Sequence, residues 1–296
     1  MRVLVTGAGG LLGGAVVRHL APRADLEVIA ADRQRLDLTD RGLAARLAEL
    51  APDVVVNAAG RTSGDAAAFL ADNAIAAASL AAAMREAVPR SGLVQLGSAA
   101  QYGAGAPDRL LSEDDPCLPQ SPYGISKQAA ETCLFAEARN GLAVAALRVF
   151  NVVAADAAGG QALAAFLRRA ARAMSAGPPW LVTVGPLGAV RDFVALQDVA
   201  RAVEAVIDRG AWGAAINVCT GVGRPVRDLL QAVAGELGVE IREDETPETG
   251  VSWSVGDPTR CERRLGLRPS ADLAPLVRAA ADWVRQEAKT DARSRA

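Results

Sequence analysis

Residues 1–14 read MRVLVTGAGGLLGG, a β-branched run that gives way without a spacer to glycines. VLVT (3–6) has the composition of a buried strand. Gly7, Gly10 and Gly13 follow at a G-x-x-G-x-x-G spacing, and a helical pattern opens near Leu11. Glycine permits the tight turn and lets the backbone approach a pyrophosphate. The helix that starts there offers free N–H groups and its positive dipole end to that anion. A merely tight strand-to-helix turn is the plainer reading of the same residues. About twenty residues on, EVIAAD (27–32) ends in Asp32, where a carboxylate can bind ribose hydroxyls and repel a 2′-phosphate. That favours NAD(H). Arg33 and Arg35 follow directly and suit a 2′-phosphate, so NADP(H) stays open as the alternative.

Outward from this stretch, short apolar runs alternate with Ala/Leu helical patterns: DVVVNAAG (53–60), GLVQLGS (92–98), AVAALRVFN (143–151) and AAINVCTG (214–221). Uninterrupted apolar strands between helices predict an α/β protein, a Rossmann-type doubly wound parallel sheet covered on both faces. Asp32 and Asp37 stand too close for a full crossover, so residues 33–39 are read as a short excursion. Asp37 and Leu38 are placed to flank the adenine. Ala58, Ala59 and Gly60, at the end of what is counted as the fourth strand, leave room for the cofactor's middle. Residues 1–151, with about 192–219, form the dinucleotide-binding domain. The looser segments 152–191 and 220–289 form a smaller substrate-binding lobe, and 290–296 a frayed tail.

Composition narrows the function. The 296 residues are 51% hydrophobic and 22% charged with a net charge of −2, which fits a sizeable core. No basic run interleaves with aromatics, so no nucleic-acid partner is expected. No stretch reaches the roughly 18 strongly apolar residues of a membrane span. An N-terminus that starts as a strand predicts a cytoplasmic protein without a signal peptide. Cys117, Cys133, Cys219 and Cys261 lack metal-site spacing, so they are read as reduced and structural and no metal is expected. The one histidine, His19, falls in the first helical pattern, which argues against a histidine base.

A second stretch carries the chemistry. SPYGISKQAAE (121–131) holds one of the two tyrosines in the chain and one of the two lysines among 32 basic residues. On a helix, Tyr123 and Lys127 share a face. An ammonium beside a phenol stabilises the phenolate and makes the ring a usable proton donor or acceptor. An arginine fork is a poor substitute for that compact charge.

Taken together, TGAGGLLGG, Asp32, the DLTD segment, VVVNAAG, LGSAAQYG, YGISK, LRVFN and VRDFVALQDVA resemble the extended short-chain dehydrogenase/reductase family of sugar-nucleotide epimerases, dehydratases and reductases. INVCTG and VGDPTRCERRLGL extend the likeness over most of the chain. The resemblance implies a catalytic set of Ser98, Tyr123 and Lys127. It implies cofactor contacts at Gly7, Gly10, Leu11, Leu12, Gly13, Asp32, Arg33, Asp37, Leu38, Ala58, Ala59, Gly60, Leu96, Tyr123, Lys127 and Phe150. Substrate contacts would come from Ser98, from Asn151 at the end of the sixth strand, and from Arg191. The alternative reading of Arg191 is an ion pair with Asp192 or Asp198. Arg148 is placed beneath the site in a structural role.

The dehydratases of this family continue from the catalytic serine or threonine into an Asp-Glu pair, whereas Ala99 and Ala100 stand here. Epimerase-reductases add a cysteine and a histidine, against which Ala100 and the remote His19 argue. A 4-epimerase needs only Ser, Tyr and Lys and stays open. The second half is most similar to the reductases of GDP-4-keto-6-deoxy-mannose, so the resemblance implies NAD(P)H-dependent reduction of a nucleotide-diphosphate 4-keto-6-deoxyhexose. LRVFNVVAADAAG lacks the family's Gly-Pro after the asparagine, so the loop near the sugar differs. A non-catalytic dinucleotide-binding protein is the reading from another class. A homodimer built on helices near 73–88 and 123–139 is implied as well.

Overall fold

Val3, Leu4 and Val5 point alternately to opposite faces and are all fully buried, so the first strand must be covered on both sides. The computed structural model describes residues 1–156, 162–244 and 252–295. The first half runs β1 (Arg2–Thr6), α1 (Leu11–Leu20), β2 (Glu27–Ala31), α2 (Leu43–Leu50) and β3 (Val54–Asn57). Next comes one rod of α3 (Ala66–Phe69), a π-helical turn over Leu70–Ile75 and α4 (Ala76–Ala87). β4 (Gly92–Leu96), a 3₁₀ turn over Ala99–Gln101, α5 (Pro122–Arg139) and β5 (Ala143–Val149) follow.

The second half contains β6 (Asn151–Val153), α6 (Ala162–Ala176), β7 (Leu181–Val184), β8 (Val190–Ala195), α7 (Leu196–Arg209) and β9 (Ala214–Val218). It closes with β10 (Gly223–Pro225), α8 (Val226–Leu237), β11 (Glu240–Glu243), β12 (Trp253–Ser254), α9 (Thr259–Leu265) and α10 (Ala274–Arg295).

Six parallel strands form the main sheet in the order β2-β1-β3-β4-β5-β9. Leu4, Val55, Leu93 and Val144 meet Leu47, Leu80, Met84 and Leu134 from α2, α4 and α5 on one face. Val3, Val5, Val56 and Val94 meet Val16, Leu20, Val203 and Val206 from α1 and α7 on the other. The strand order reverses between β1 and β3, which opens a crevice at their carboxyl ends. A separate apolar core joins Phe166, Leu167, Leu230, Val233, Ala280 and Val284 from α6, α8 and α10.

Residues 33–39 contribute no strand. Leu36 N–H donates to Asp32 O at 2.9 Å, and the carboxylates of Asp32 and Asp37 close side-chain turns on Arg35 and Thr39. Ala58–Gly60 therefore follow the third strand, and Ser98 follows the fourth. The return to the main sheet is made by α7 and β9, while β8 pairs with β6, β10 and β12. The helix α10 runs through residues 290–295 where a tail was expected, because TDARSR offers no Gly or Pro to stop it. Against the expectation of no such segment, the rod Ala66–Ala87 is apolar enough by length and composition to cross a membrane. Alanines supply that apolarity, and half of the stretch is buried in the fold.

Candidate active site

The glycine turn after β1 is a cradle that side chains would fill. Gly7 has φ +66°, and a Cβ there would lie 2.6 Å from Ala59 N. A Cβ on Gly13 would run into the Gly7 carbonyl. Gly10 caps α1 with extended backbone and no side-chain bond, so the amides of Leu11, Leu12 and Gly13 open the helix without an intrahelical acceptor. Beside them lies a cleft of about 200 Å³ lined by Gly7, Arg33, Asp37, Leu38, Ala59, Gly60, Asp72 and Ala76. A pyrophosphate fits the uncapped helix end, and a flat base fits the cleft. The strand ends beneath are fixed by a buried ladder: Thr6 Oγ1 donates to Asn57 Oδ1 at 2.7 Å, and Asn57 Nδ2 to Gln95 Oε1 at 2.7 Å.

SPYG starts α5 for a local reason. The Ser121 side chain accepts from Gly124 N–H at 3.1 Å, and Pro122 occupies the first helical position, where its missing N–H costs nothing. Gly124 then abuts the Ala100 carbonyl, where a Cβ would collide, so the first turn of α5 packs on the turn that Ser98 opens. Lys127 is 9% exposed and Nζ donates to Leu96 O at 3.1 Å. That ammonium stands 5.9 Å from the Tyr123 ring centroid, and the Tyr123 ring meets Phe69 edge-on at 5.7 Å. Ser98 accepts from Ala100 N–H at 3.2 Å, which leaves its O–H free to donate.

Sequence reasoning missed Asn73. It lies in the π-helical turn, a geometry often found at functional sites. Its Oδ1 accepts from Arg61 N–H at 2.7 Å, and its Nδ2 donates to Ser126 Oγ at 2.9 Å. A Cβ on Gly60 would lie 2.7 Å from Asn73 Oδ1 and 3.2 Å from Lys127 Nζ. Asn73 thus ties the β3 loop to α5 around the lysine. The signal was an amide inside an alanine-rich helical pattern, FLADNAIAAASLAAAM (69–84).

A buried polar chain supports Ser98 from below. Ser98 N–H donates to Gln101 Oε1 at 2.8 Å, and Gln101 Nε2 donates to Glu131 Oε2 at 2.9 Å. Glu131 accepts from Arg148 Nη2 at 2.6 Å and from Nε at 3.1 Å. Arg148 Nη1 also donates to the Tyr102 hydroxyl at 2.9 Å, which in turn donates to Asn217 Oδ1 at 2.7 Å. Burial pushes the Tyr102 phenol above its ordinary range, against the opposing pull of Arg148. The two tyrosines are thereby separated: Tyr102 is a buried structural donor, and Tyr123 is half-buried beside Phe69 and Lys127.

The remaining candidates divide. Leu96 is core, with its carbonyl on Lys127. The Phe150 ring is 2% exposed and packs beside Tyr102 and Gly256, so its side chain belongs to the core and not to the cleft. Asn151 opens β6 instead of ending a strand: Phe150 N–H makes the last bond toward β9, to Val218 O, and from Asn151 the chain pairs with β8; Asn151 Nδ2 donates to Asp192 O at 3.2 Å. Arg191 Nη1 donates to Val190 O at 2.9 Å. The carboxylate of Asp192 is held by Thr220, Gly221 and Gly256, and that of Asp198 by Arg201 and Ser270. Positions 157–159 of the altered loop lie outside the described residues. His19 bonds Glu204 at 2.8 Å between α1 and α7, remote from the crevice.

The chain is 32% identical over 94% of its length to dTDP-6-deoxy-L-talose 4-dehydrogenase (NAD(P)(+)) of Kitasatospora kifunensis, covering 93% of that protein. It is 27% identical over 97% of its length to GDP-6-deoxy-D-mannose reductase of Pseudomonas aeruginosa, covering 99% of it. Among solved structures, MoeE5 in complex with UDP-glucuronic acid and NAD superposes with a TM-score of 0.83 at 28% identity, over 97% of this chain and 99% of that one. The model of the NAD dependent epimerase/dehydratase family matches residues 3–219, from the first residue of VLVT through the last strand of the main sheet. With the glycine cradle and the Tyr123–Lys127 pair inside that span, the chain belongs to the NAD dependent epimerase/dehydratase family.

Proposed function

We propose that this chain is a nucleotide-sugar 4-ketoreductase, which reduces the ketone of a nucleotide-diphosphate 4-keto-6-deoxyhexose with NAD(H), NADP(H) being the alternative donor. The observation that carries the reading is the Tyr123–Lys127 pair at the carboxyl edge of the sheet, with Ser98 on the turn that packs against it. When bound, a reduced nicotinamide supplies the hydride. Tyr123 gives its hydroxyl proton to the oxygen that becomes an alkoxide. Lys127 places a fixed positive charge at that point, and the free O–H of Ser98 donates to the same oxygen. Elimination of water is disfavoured, because Ala99 and Ala100 occupy the turn where an acid and a base would be needed.

The lobe of residues 152–191 and 220–289 is proposed to take the sugar and its nucleotide, with Asn151 and Arg191 at its border with the main sheet. A guanidinium suits a diphosphate through charge-assisted bonds. The relatives carry dTDP and GDP in their names, so the proposal extends to the nucleotide-diphosphate class and not to one base.

The test is redox stoichiometry on dTDP- and GDP-linked 4-keto-6-deoxyhexoses. One reduced dinucleotide should be consumed per sugar reduced. Conversion of a nucleotide sugar without net consumption would identify a 4-epimerase instead, and tight cofactor binding with no turnover across the panel would identify a binding protein.

A homodimer is proposed on the rod Ala66–Ala87 and α5. Ile75 is 58% exposed, and Leu70 and Ile125 are exposed with it on these two packed helices. Light scattering at micromolar concentration should give twice the 30.5 kDa chain mass. The Ile75→Glu/Ile125→Glu variant should give the single-chain mass with its circular dichroism unchanged. A wild-type chain that runs as a monomer overturns this reading.

A further inference from the structure

Asp72 holds two arginines at once. Its Oδ2 accepts from Arg61 Nε at 2.6 Å and its Oδ1 from Arg33 Nη1 at 3.3 Å. Arg33 Nε also reaches Asp37 Oδ2 at 3.4 Å. Arg33, Asp37 and Asp72 all line the cleft next to Gly7. The Arg33 side chain therefore spans the cleft mouth, from the loop after β2 to the π-helical turn. Arg35 is engaged elsewhere, since Nη1 donates to Ala30 O at 2.9 Å on its own strand.

These contacts bear on the choice of dinucleotide. Asp37 and Asp72 face Arg33 and Arg61, which leaves the mouth of the cleft with balanced charge. A ribose diol can enter without disturbing those pairs. A 2′-phosphate brings a second source of negative charge and would have to displace a carboxylate from Arg33 to gain a cation. Asp37 is anchored in its own right: Thr39 N–H and Oγ1 donate to it at 2.9 and 2.7 Å, and these bonds hold its carboxyl below the usual range. Among the described residues Asp72 has no such tether beyond the two arginines. It is the member of the group whose charge can be removed with the least disturbance.

We propose that Asp72 is a specificity-determining residue: by holding Arg33 across the cleft mouth it keeps the guanidinium from a 2′-phosphate and sets a preference for NAD(H) over NADP(H). The inference rests on the dinucleotide reading of the cleft. The π-helical turn makes it local, because Asn73 fixes the Arg61 backbone through Arg61 N–H and O while Asp72 fixes only the side chain. Replacing Asp72 leaves the Asn73 bonds in place.

The experiment measures dissociation constants of NADH and NADPH by calorimetry for the full chain, for Asp72→Asn and for Asp72→Asn/Arg33→Ala. The wild-type protein should bind NADH more tightly. Asp72→Asn should tighten NADPH about tenfold, with NADH changed less than about twofold, and the added Arg33→Ala should remove the gain. Unchanged NADPH affinity in Asp72→Asn overturns the proposal, as does a gain that survives Arg33→Ala. A wild-type protein that prefers NADPH overturns it too, while the dinucleotide reading stands. If neither dinucleotide binds, both readings fall.

Discussion

Tyr123→Phe should give a folded protein that binds dinucleotide as before and turns over about 10²- to 10⁴-fold more slowly. The separation of the two effects follows from where the hydroxyl sits. Among the described residues the Tyr123 hydroxyl has no hydrogen-bond partner, while its ring is held by Phe69 and lies 5.9 Å from Lys127 Nζ. Phenylalanine keeps the ring contacts, so stability should change by less than about 1 kcal/mol. What is lost is the phenol proton that Tyr123 is proposed to give to the forming alkoxide. Lys127 stays on the Leu96 carbonyl at 3.1 Å and 5.9 Å from the ring centroid, so its charge remains in place while the phenol proton is gone. Steady-state kinetics on a 4-keto sugar, with dinucleotide affinity measured in parallel, reads both quantities. Turnover equal to wild type would move the proton donor away from residue 123 and take the catalytic assignment with it.

The chemistry of this site was legible where it is local and hidden where it is not. A tyrosine and lysine four apart predict a shared helix face, and α5 provides it. MRVLVTGAGGLLGG predicts strand, turn and helix because each residue type acts on its own backbone. The Asp32–Asp37 spacing likewise predicted a short excursion, since a crossover needs more chain than that. Its closure by two carboxylate turns, which removes one strand from the count, depends on hydrogen bonds that no spacing reveals.

Asn73, Gln101 and Glu131 come to the site from three elements, and nothing local marks them as neighbours. Phe150 is a different case. Its position in LRVFN implies a cofactor contact, while packing from distant elements sets its ring in the core beside Tyr102 and Gly256. Asp72 and Arg33, 39 positions apart, meet only because the rod Ala66–Ala87 brings its π-helical turn to the loop after β2.

Glu131→Ala should be the most destabilising single change near the site, costing about 3–5 kcal/mol. Glu131 and Arg148 are 3% and 6% exposed, and the carboxylate accepts from Nε and Nη2 of the guanidinium and from Gln101 Nε2. Alanine leaves that guanidinium buried with the Tyr102 hydroxyl as its closest remaining side-chain partner, at 2.9 Å. The expected drop in Tm is on the order of 10 °C. Glu131→Met/Arg148→Met removes both charges together and should be less destabilised than Glu131→Ala, which separates a stranded charge from lost packing. Function should follow the same chain of bonds. Without Glu131 the Gln101 amide keeps only Gln128 Oε1, at 3.0 Å, as acceptor for its Nε2, so the Oε1 that takes Ser98 N–H at 2.8 Å is held less firmly. In Glu131→Gln, which keeps the volume and folds, kcat should fall by about tenfold through the loosened Ser98 while dinucleotide affinity holds, because the glycine cradle lies on β1 and α1. A Glu131→Ala protein within about 1 kcal/mol of wild type would mean that the pair is solvated in solution, and the support assigned to Ser98 would fall with it.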